Sequence, residues 1–203
     1  YGLKVTFIDY PLAPEHTYEK THEIVMKAYR EITIKNYGDE FYLFGDSAGG
    51  GLALAVLQIL RDEKIIPFPK KFSHLSNPSS PWVDLTMSNP KIGEAAERDP
   101  LLTMDCLYHA AERYIGNGDA KNPVLSPIFG RMDNLGKIFL LTGTHEILNP
   151  DCRKLKTKLM AAYGTELEFY EGEKMVHDWI LATPFYLEAF KAIEMVGEFY
   201  VNG

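Results

Sequence analysis

The sequence predicts an α/β fold, a mostly parallel sheet covered by helices on both faces. Three observations predict it. Short apolar runs alternate with longer segments of helical period, the pattern of strand–helix–strand units. One such run, Phe41-Tyr42-Leu43-Phe44, passes straight into Gly45-Asp46-Ser47-Ala48-Gly49 and then a helix-like segment. The alternation is interrupted once, between Leu85 and Pro127, and then resumes.

In chain order, Leu3 to Asp9 reads as a buried strand. Tyr10-Pro11-Leu12-Ala13-Pro14-Glu15-His16 is a proline-punctuated loop. Thr17 to Tyr37 reads as a helix with apolar residues at Ile24, Val25, Ala28, Ile32 and Ile34. Phe41 to Phe44 is the second strand. Gly49 to Asp62 is a helix whose apolar first turns suit burial against the sheet. Phe72 to Leu75 is a weak strand pattern, and Pro78 to Asp84 a loop. Within Leu85–Pro127, Met104 to Tyr114 reads as a helix, and the stretch reads as an insertion over one end of the sheet. Ile138 to Thr142 returns to strand, Pro150 to Tyr163 to helix, Leu167 to Tyr170 to strand, and Pro184 to Tyr200 closes with a helix.

The 203 residues suffice for one domain with a sizeable core, so 1–203 reads as one unit carrying the insertion 85–127. A net charge of −7 argues against a nucleic-acid surface. No apolar run reaches the length of a membrane span. The cysteines, Cys106 and Cys152, have no metal-ligand spacing and read as free thiols of a reducing, cytoplasmic compartment. His16, His22, His74 and His109 are dispersed, so neither a metal nor a cofactor is expected. The chain begins at Tyr1, directly before a strand pattern, which leads to the expectation that the natural N-terminus lies upstream.

Gly-x-Ser-x-Gly between a strand and a helix is the setting of a nucleophile elbow. The turn lifts the serine out of the sheet and aims a helix N-terminus at the reacting oxygen. Gly45 and Gly49 are expected to be glycine because side chains there would collide across the turn. A serine at its normal pKa is a poor nucleophile and needs a base, which needs an orienting acid. On this scaffold the chain order is serine, acid, histidine, each after a strand. Glu146 follows the strand at 138–142, and His177 follows the strand at 167–170. Asp151 is the second candidate for the acid, one helical turn farther on. His145 precedes the acid position and would break the order. The backbone N–H of Ala48, next after the serine, is the expected oxyanion donor.

These residues resemble the hormone-sensitive-lipase branch of the α/β-hydrolase fold, which contains many bacterial carboxylesterases. Tyr10–His16 is similar to the family's Tyr-Arg-Leu-Ala-Pro-Glu-His segment, with Pro11 for Arg. Gly45-Asp46-Ser47-Ala48-Gly49-Gly50 resembles its elbow, and Ser126-Pro127 its Ser-Pro before the late strand. Gly143–Leu148 is similar to its acid loop, with Glu146 in place of the usual Asp. Met175–Trp179 is similar to its His-Gly-Phe region, with Asp178 in place of Gly, a change that bears on the acyl pocket's shape. The resemblance implies a serine esterase acting on short- to medium-chain acyl esters through Ser47, His177 and Glu146. It implies a small-molecule ester as partner, is compatible with a homodimer, and makes 85–127 part of a lid. Leu101, Leu102, Met104 and Tyr108 are then wall candidates, with ordinary packing as the other reading. The same triad also serves amidases and lactonases, and the fold hosts non-catalytic ligand-binding homologues, which typically lose the histidine. The family's Gly-rich oxyanion loop precedes Tyr10–His16 and is not in this sequence. Its strand would lie between Leu3–Asp9 and Phe41–Phe44, so those two strands are expected either to flank a gap or to pair directly.

Overall fold

The computed structural model describes residues 2, 4–37, 39–64, 75–183 and 185–202. Among these residues four parallel strands form one sheet in the order β1-β2-β3-β4: β1 Tyr42–Asp46, β2 Leu75–Ser79, β3 Gly136–Gly143 and β4 Thr165–Gly172. The helices are α1 Tyr18–Lys35, α2 Ser47–Glu63, α3 Ile92–Ala96, α4 Met104–Ile115, α5 Asn149–Met160 and α6 Leu187–Asn202.

The alternation of side chains along β3 divides the core into two layers. Ile138 and Leu140 face Leu54 and Leu57 of α2 and Leu155 and Leu159 of α5. Phe139 and Leu141 face the opposite way, onto Ala189, Ala192, Val196 and Phe199 of α6. A strand buried on both faces must be apolar throughout, which is why residues 138–141 read as an unbroken run. Helix α1 packs Val25, Met26 and Tyr29 against Val56 and Leu60 of α2. Its inward face is not the one the apolar residues alone suggest, because Ile34 is exposed while Thr21 and His22 are buried.

The segment between β2 and β3 builds its own cluster from Trp82, Leu85, Met87, Ile92, Leu107, Ala111 and Leu125. Ile147 and Leu148, just after β3, complete that cluster, so the insertion is seated on the loop that carries Glu146. Asp99 ties the two together, its carboxylate accepting from Leu101 N, Leu102 N and Ile147 N at 2.8–3.0 Å.

One expectation fails, and a second lies mostly outside the described residues. The strand expected at Leu3–Asp9 is not formed over its described residues: 4–9 carry no strand pairing, and Val5 and Phe7 are exposed. Among the described residues the sheet ends at β1, so the pair of outcomes expected for that strand, a gap or direct pairing with Phe41–Phe44, is replaced by a third in which residues 4–9 lie outside the sheet. An apolar run becomes a strand only where a neighbour takes its N–H and C=O groups. Among its described residues Ile8 packs against the α1–α2 cluster, as does Tyr10 just beyond the segment. Second, the strand pattern at Phe72–Leu75 falls mostly outside the described residues, and β2 begins where that pattern ends, at Leu75. Its composition, Leu-Ser-Asn-Pro-Ser, is that of a loop, and Pro78 has no N–H to give the ladder. Position between β1 and β3 overrides that local preference.

Candidate active site

Ser47 is the first residue of α2 and has φ 52°, a left-handed conformation at a non-glycine residue. The close turn this requires explains Gly45: a Cβ there would lie 2.2 Å from the Gly49 carbonyl oxygen. The expectation for Gly49 is corrected, because a Cβ at Gly49 would meet nothing nearer than the Tyr10 hydroxyl at 3.9 Å. The collision runs one way, from position 45 onto the backbone of 49. Gly50 and Gly51 are confined by the segment after β2: a Cβ on Gly51 would lie 2.1 Å from Trp82 O. Trp82 N also donates to Ser47 O at 2.9 Å. Ala48 sits in the first turn of α2, where backbone N–H groups have no partner within the helix.

The sheet brings the three residues from distant parts of the chain together. His177 Nε2 lies 2.8 Å from Ser47 Oγ. His177 Nδ1 lies 2.9 Å from Glu146 Oε2. Glu146 is fully buried, and His177 nearly so. A buried carboxylate needs donors, and Glu146 Oε1 has two: the Thr142 hydroxyl and Gly143 N at 2.9 Å. With both lone-pair sectors occupied, the carboxylate can turn neither away from Nδ1 nor toward solvent.

The loops after β3 and β4 are fastened to each other. Thr144 N donates to Gly172 O at 3.0 Å, His145 N to Met175 O at 2.9 Å, and Lys174 N to Thr144 Oγ1 at 2.7 Å. A Cβ on Gly143 would lie 2.1 Å from Met175 O, so the two backbones touch there. Asp151 stands apart. Its carboxyl accepts from Asn89 Nδ2 at 2.8 Å, and burial, opposed by that hydrogen bond, pushes its pKa up to about 6. Glu146, not Asp151, is the carboxylate that faces His177 Nδ1.

The remaining candidates divide. His145 Nδ1 lies 3.2 Å from Thr144 Oγ1. Leu102 and Met104 pack against the insertion's own cluster, whereas Leu101 and Tyr108 are exposed. Among the described residues no group of three or more His, Cys, Asp or Glu side chains is placed to hold a metal ion. No described helix is long and apolar enough to cross a membrane. Cys106 is exposed and Cys152 buried, both free, and burial raises the Cys152 thiol pKa.

Three contributors escaped the reading of the sequence. Thr142 and Gly143 N grip Glu146, and their signal was present: they end the strand that precedes the acid. Asp178, read from the sequence only as a change bearing on the acyl pocket, is the third. It takes φ 50°, and its Oδ2 lies 3.1 Å from His177 Nε2, on the side that Ser47 occupies. Burial works against a charged His177 ring, but the hydrogen bonds and charges of Asp178 and Glu146 outweigh it and push the ring's pKa up to about 10.

The chain is similar to known proteins. A family model described as the alpha/beta hydrolase fold matches residues 1–181. An acetyl-hydrolase of Streptomyces hygroscopicus is 33% identical over 199 residues, 98% of this chain and 64% of that protein. The crystal structure of an esterase from the bacterial hormone-sensitive lipase family aligns with a TM-score of 0.85 at 30% identity, over 94% of this chain and 63% of the other. That of an esterase/lipase from an uncultured bacterium aligns with a TM-score of 0.80 at 36% identity, over 94% and 62%. The chain therefore spans somewhat under two thirds of the length of these relatives.

Proposed function

The chain belongs to the α/β-hydrolase fold family, and from that premise we propose that the protein is a serine esterase that hydrolyses short- to medium-chain acyl esters. The observation that carries the reading is the contiguous run from Ser47 Oγ through the His177 ring to Glu146 Oε2, at 2.8 and 2.9 Å. Esterase, acetyl-hydrolase and lipase relatives support the reaction class. The acetyl-hydrolase supports the short end of the acyl range.

Ser47 Oγ attacks the ester carbonyl carbon as its proton passes to His177 Nε2. Glu146 accepts from Nδ1–H, which fixes the tautomer that leaves Nε2 basic and then stabilises the imidazolium. The Ala48 N–H donates to the carbonyl oxygen as its negative charge develops, with the positive end of α2 behind it. The imidazolium returns the proton to the departing alkoxide as the C–O bond breaks. Water then enters by the same route and releases the acid. Residues 85–127 serve as a lid, and exposed Leu101 and Tyr108 are its candidates for acyl contact. Two unpaired cysteines fit a reducing, cytoplasmic setting.

The test is a kinetic series on p-nitrophenyl esters of increasing acyl length with the intact protein. Ser47→Ala is expected to lower kcat by a factor on the order of 10⁴ to 10⁶, and Glu146→Gln by a smaller factor, on the order of 10³ to 10⁴. Retained turnover in Ser47→Ala would falsify the assignment of the nucleophile.

A further inference from the structure

We propose that Asp178 is a positioning residue of the site, a second carboxylate that holds the Nε2 proton of His177 and so keeps the resting base in its charged, inactive form. The inference rests on the triad reading above and adds to it a pH-dependent brake.

The geometry sets two acceptors against one nitrogen. Nε2 has Ser47 Oγ at 2.8 Å and Asp178 Oδ2 at 3.1 Å. In the neutral ring that catalysis needs, Nδ1–H points at Glu146 and Nε2 offers a lone pair to the Ser47 hydroxyl. The Asp178 carboxylate then faces a lone pair, which is repulsive. In the imidazolium, Nε2–H donates to that carboxylate, which is attractive. Asp178 therefore distinguishes the two protonation states, and it favours the one that cannot accept the serine proton.

Its own surroundings strengthen the effect. Among the described residues Asp178 Oδ1 is buried without a hydrogen-bond partner, so the carboxylate depends on His177 for compensation. The side chain sits beside the ring and is only 16% exposed, on an αL backbone of φ 50° and ψ 30°. The ionisable groups acting on the ring are Asp178 from its own loop and Glu146 from the loop after β3. Helix α2 presents the neutral Ser47 hydroxyl and the positive end of its dipole, which opposes the charge. The direction of the ring's shift, well above its ordinary value, agrees with two carboxylates at one imidazole.

The consequence is an enzyme whose acid limb lies at alkaline pH. At neutral pH only a small fraction of His177 is free to act as base, and that fraction grows tenfold for each unit by which the pKa falls. Glycine at 178, the residue of the similar family, would lift this constraint.

The experiment follows the His177 ring by NMR in intact protein carrying labelled histidine, its resonance identified by its loss in His177→Gln. In the wild type the ring should stay charged through neutrality and titrate above about pH 8. Asp178→Asn keeps the shape and αL tolerance and should lower that midpoint by at least about one unit. Asp178→Gly, unstrained at this φ, repeats the test should the asparagine variant fold poorly. In parallel, the acid limb of kcat/KM should move by the same amount, with roughly tenfold more activity at pH 7. Equal ring midpoints in wild type and both variants would overturn the proposal. If the ring midpoint moves but no ester is turned over, the esterase reading falls and the role of Asp178 stands. If ester is hydrolysed and the midpoint is unmoved, the reverse holds.

Discussion

Residues 4–9 and residues 42–46 are similar runs of apolar and aromatic side chains, yet only the second is a strand. β1 pairs along its whole length with β2, from Tyr42↔Leu75 to Asp46↔Ser79, and its end is closed by the Ser47 turn. Residues 4–9 pair with nothing in the sheet and leave Phe7 92% exposed. The difference teaches that an apolar run is a request for a partner. The same local sequence is a structural element where the request is met and a surface segment where it is not.

The comparison can be broken or sharpened at graded cost. The largest effect belongs to Gly45→Ala. Its Cβ would press on the Gly49 carbonyl, a backbone atom that cannot move without displacing Ser47. Activity should fall to near background and unfolding should show a loss of roughly 1–3 kcal/mol. A near-native variant would mean that the elbow is not as tight as drawn. Gly49→Ala should do far less, since only Tyr10 Oη lies within 4 Å of the new methyl group, at 3.9 Å. Its melting temperature should stay level or rise slightly, as alanine outranks glycine in a helix by up to about 1 kcal/mol. If it proves as damaging as Gly45→Ala, the one-way account of the turn is wrong. Smallest is Phe7→Ser, expected to change stability by less than about 0.5 kcal/mol by denaturant titration, because the ring is already in water. A loss well above 1 kcal/mol in the intact protein would show that residues 4–9 find a strand partner there, and the contrast with β1 would vanish.

Much of the site was legible because its signals are local or ordinal. The elbow is a contiguous motif, and Glu146 and His177 follow strands in the required order. What was not legible depends on through-space contact. Nothing in Leu-Ser-Asn-Pro-Ser announces β2; its place between two other strands makes it one. Gly49 matches the motif as well as Gly45 does, and only the turn's geometry shows which of them is confined. Asp178 stood out as a departure from glycine, but its carboxylate's place 3.1 Å from Nε2 is a through-space fact.

By itself the sequence determined the alternation of strands and helices, the strained serine turn and the order of the triad candidates. These follow from periodicity, glycine chemistry and chain order, which neighbouring residues fix. The tertiary structure alone decided that Glu146 rather than Asp151 faces His177 Nδ1, that Thr142 and Gly143 hold Glu146, and that the Asp178 carboxylate lies beside Nε2. It also decided which apolar run became a strand. Hydrogen bonds and charge–charge contacts are set by distances between atoms far apart in the chain, and those distances exist only once the sheet has formed.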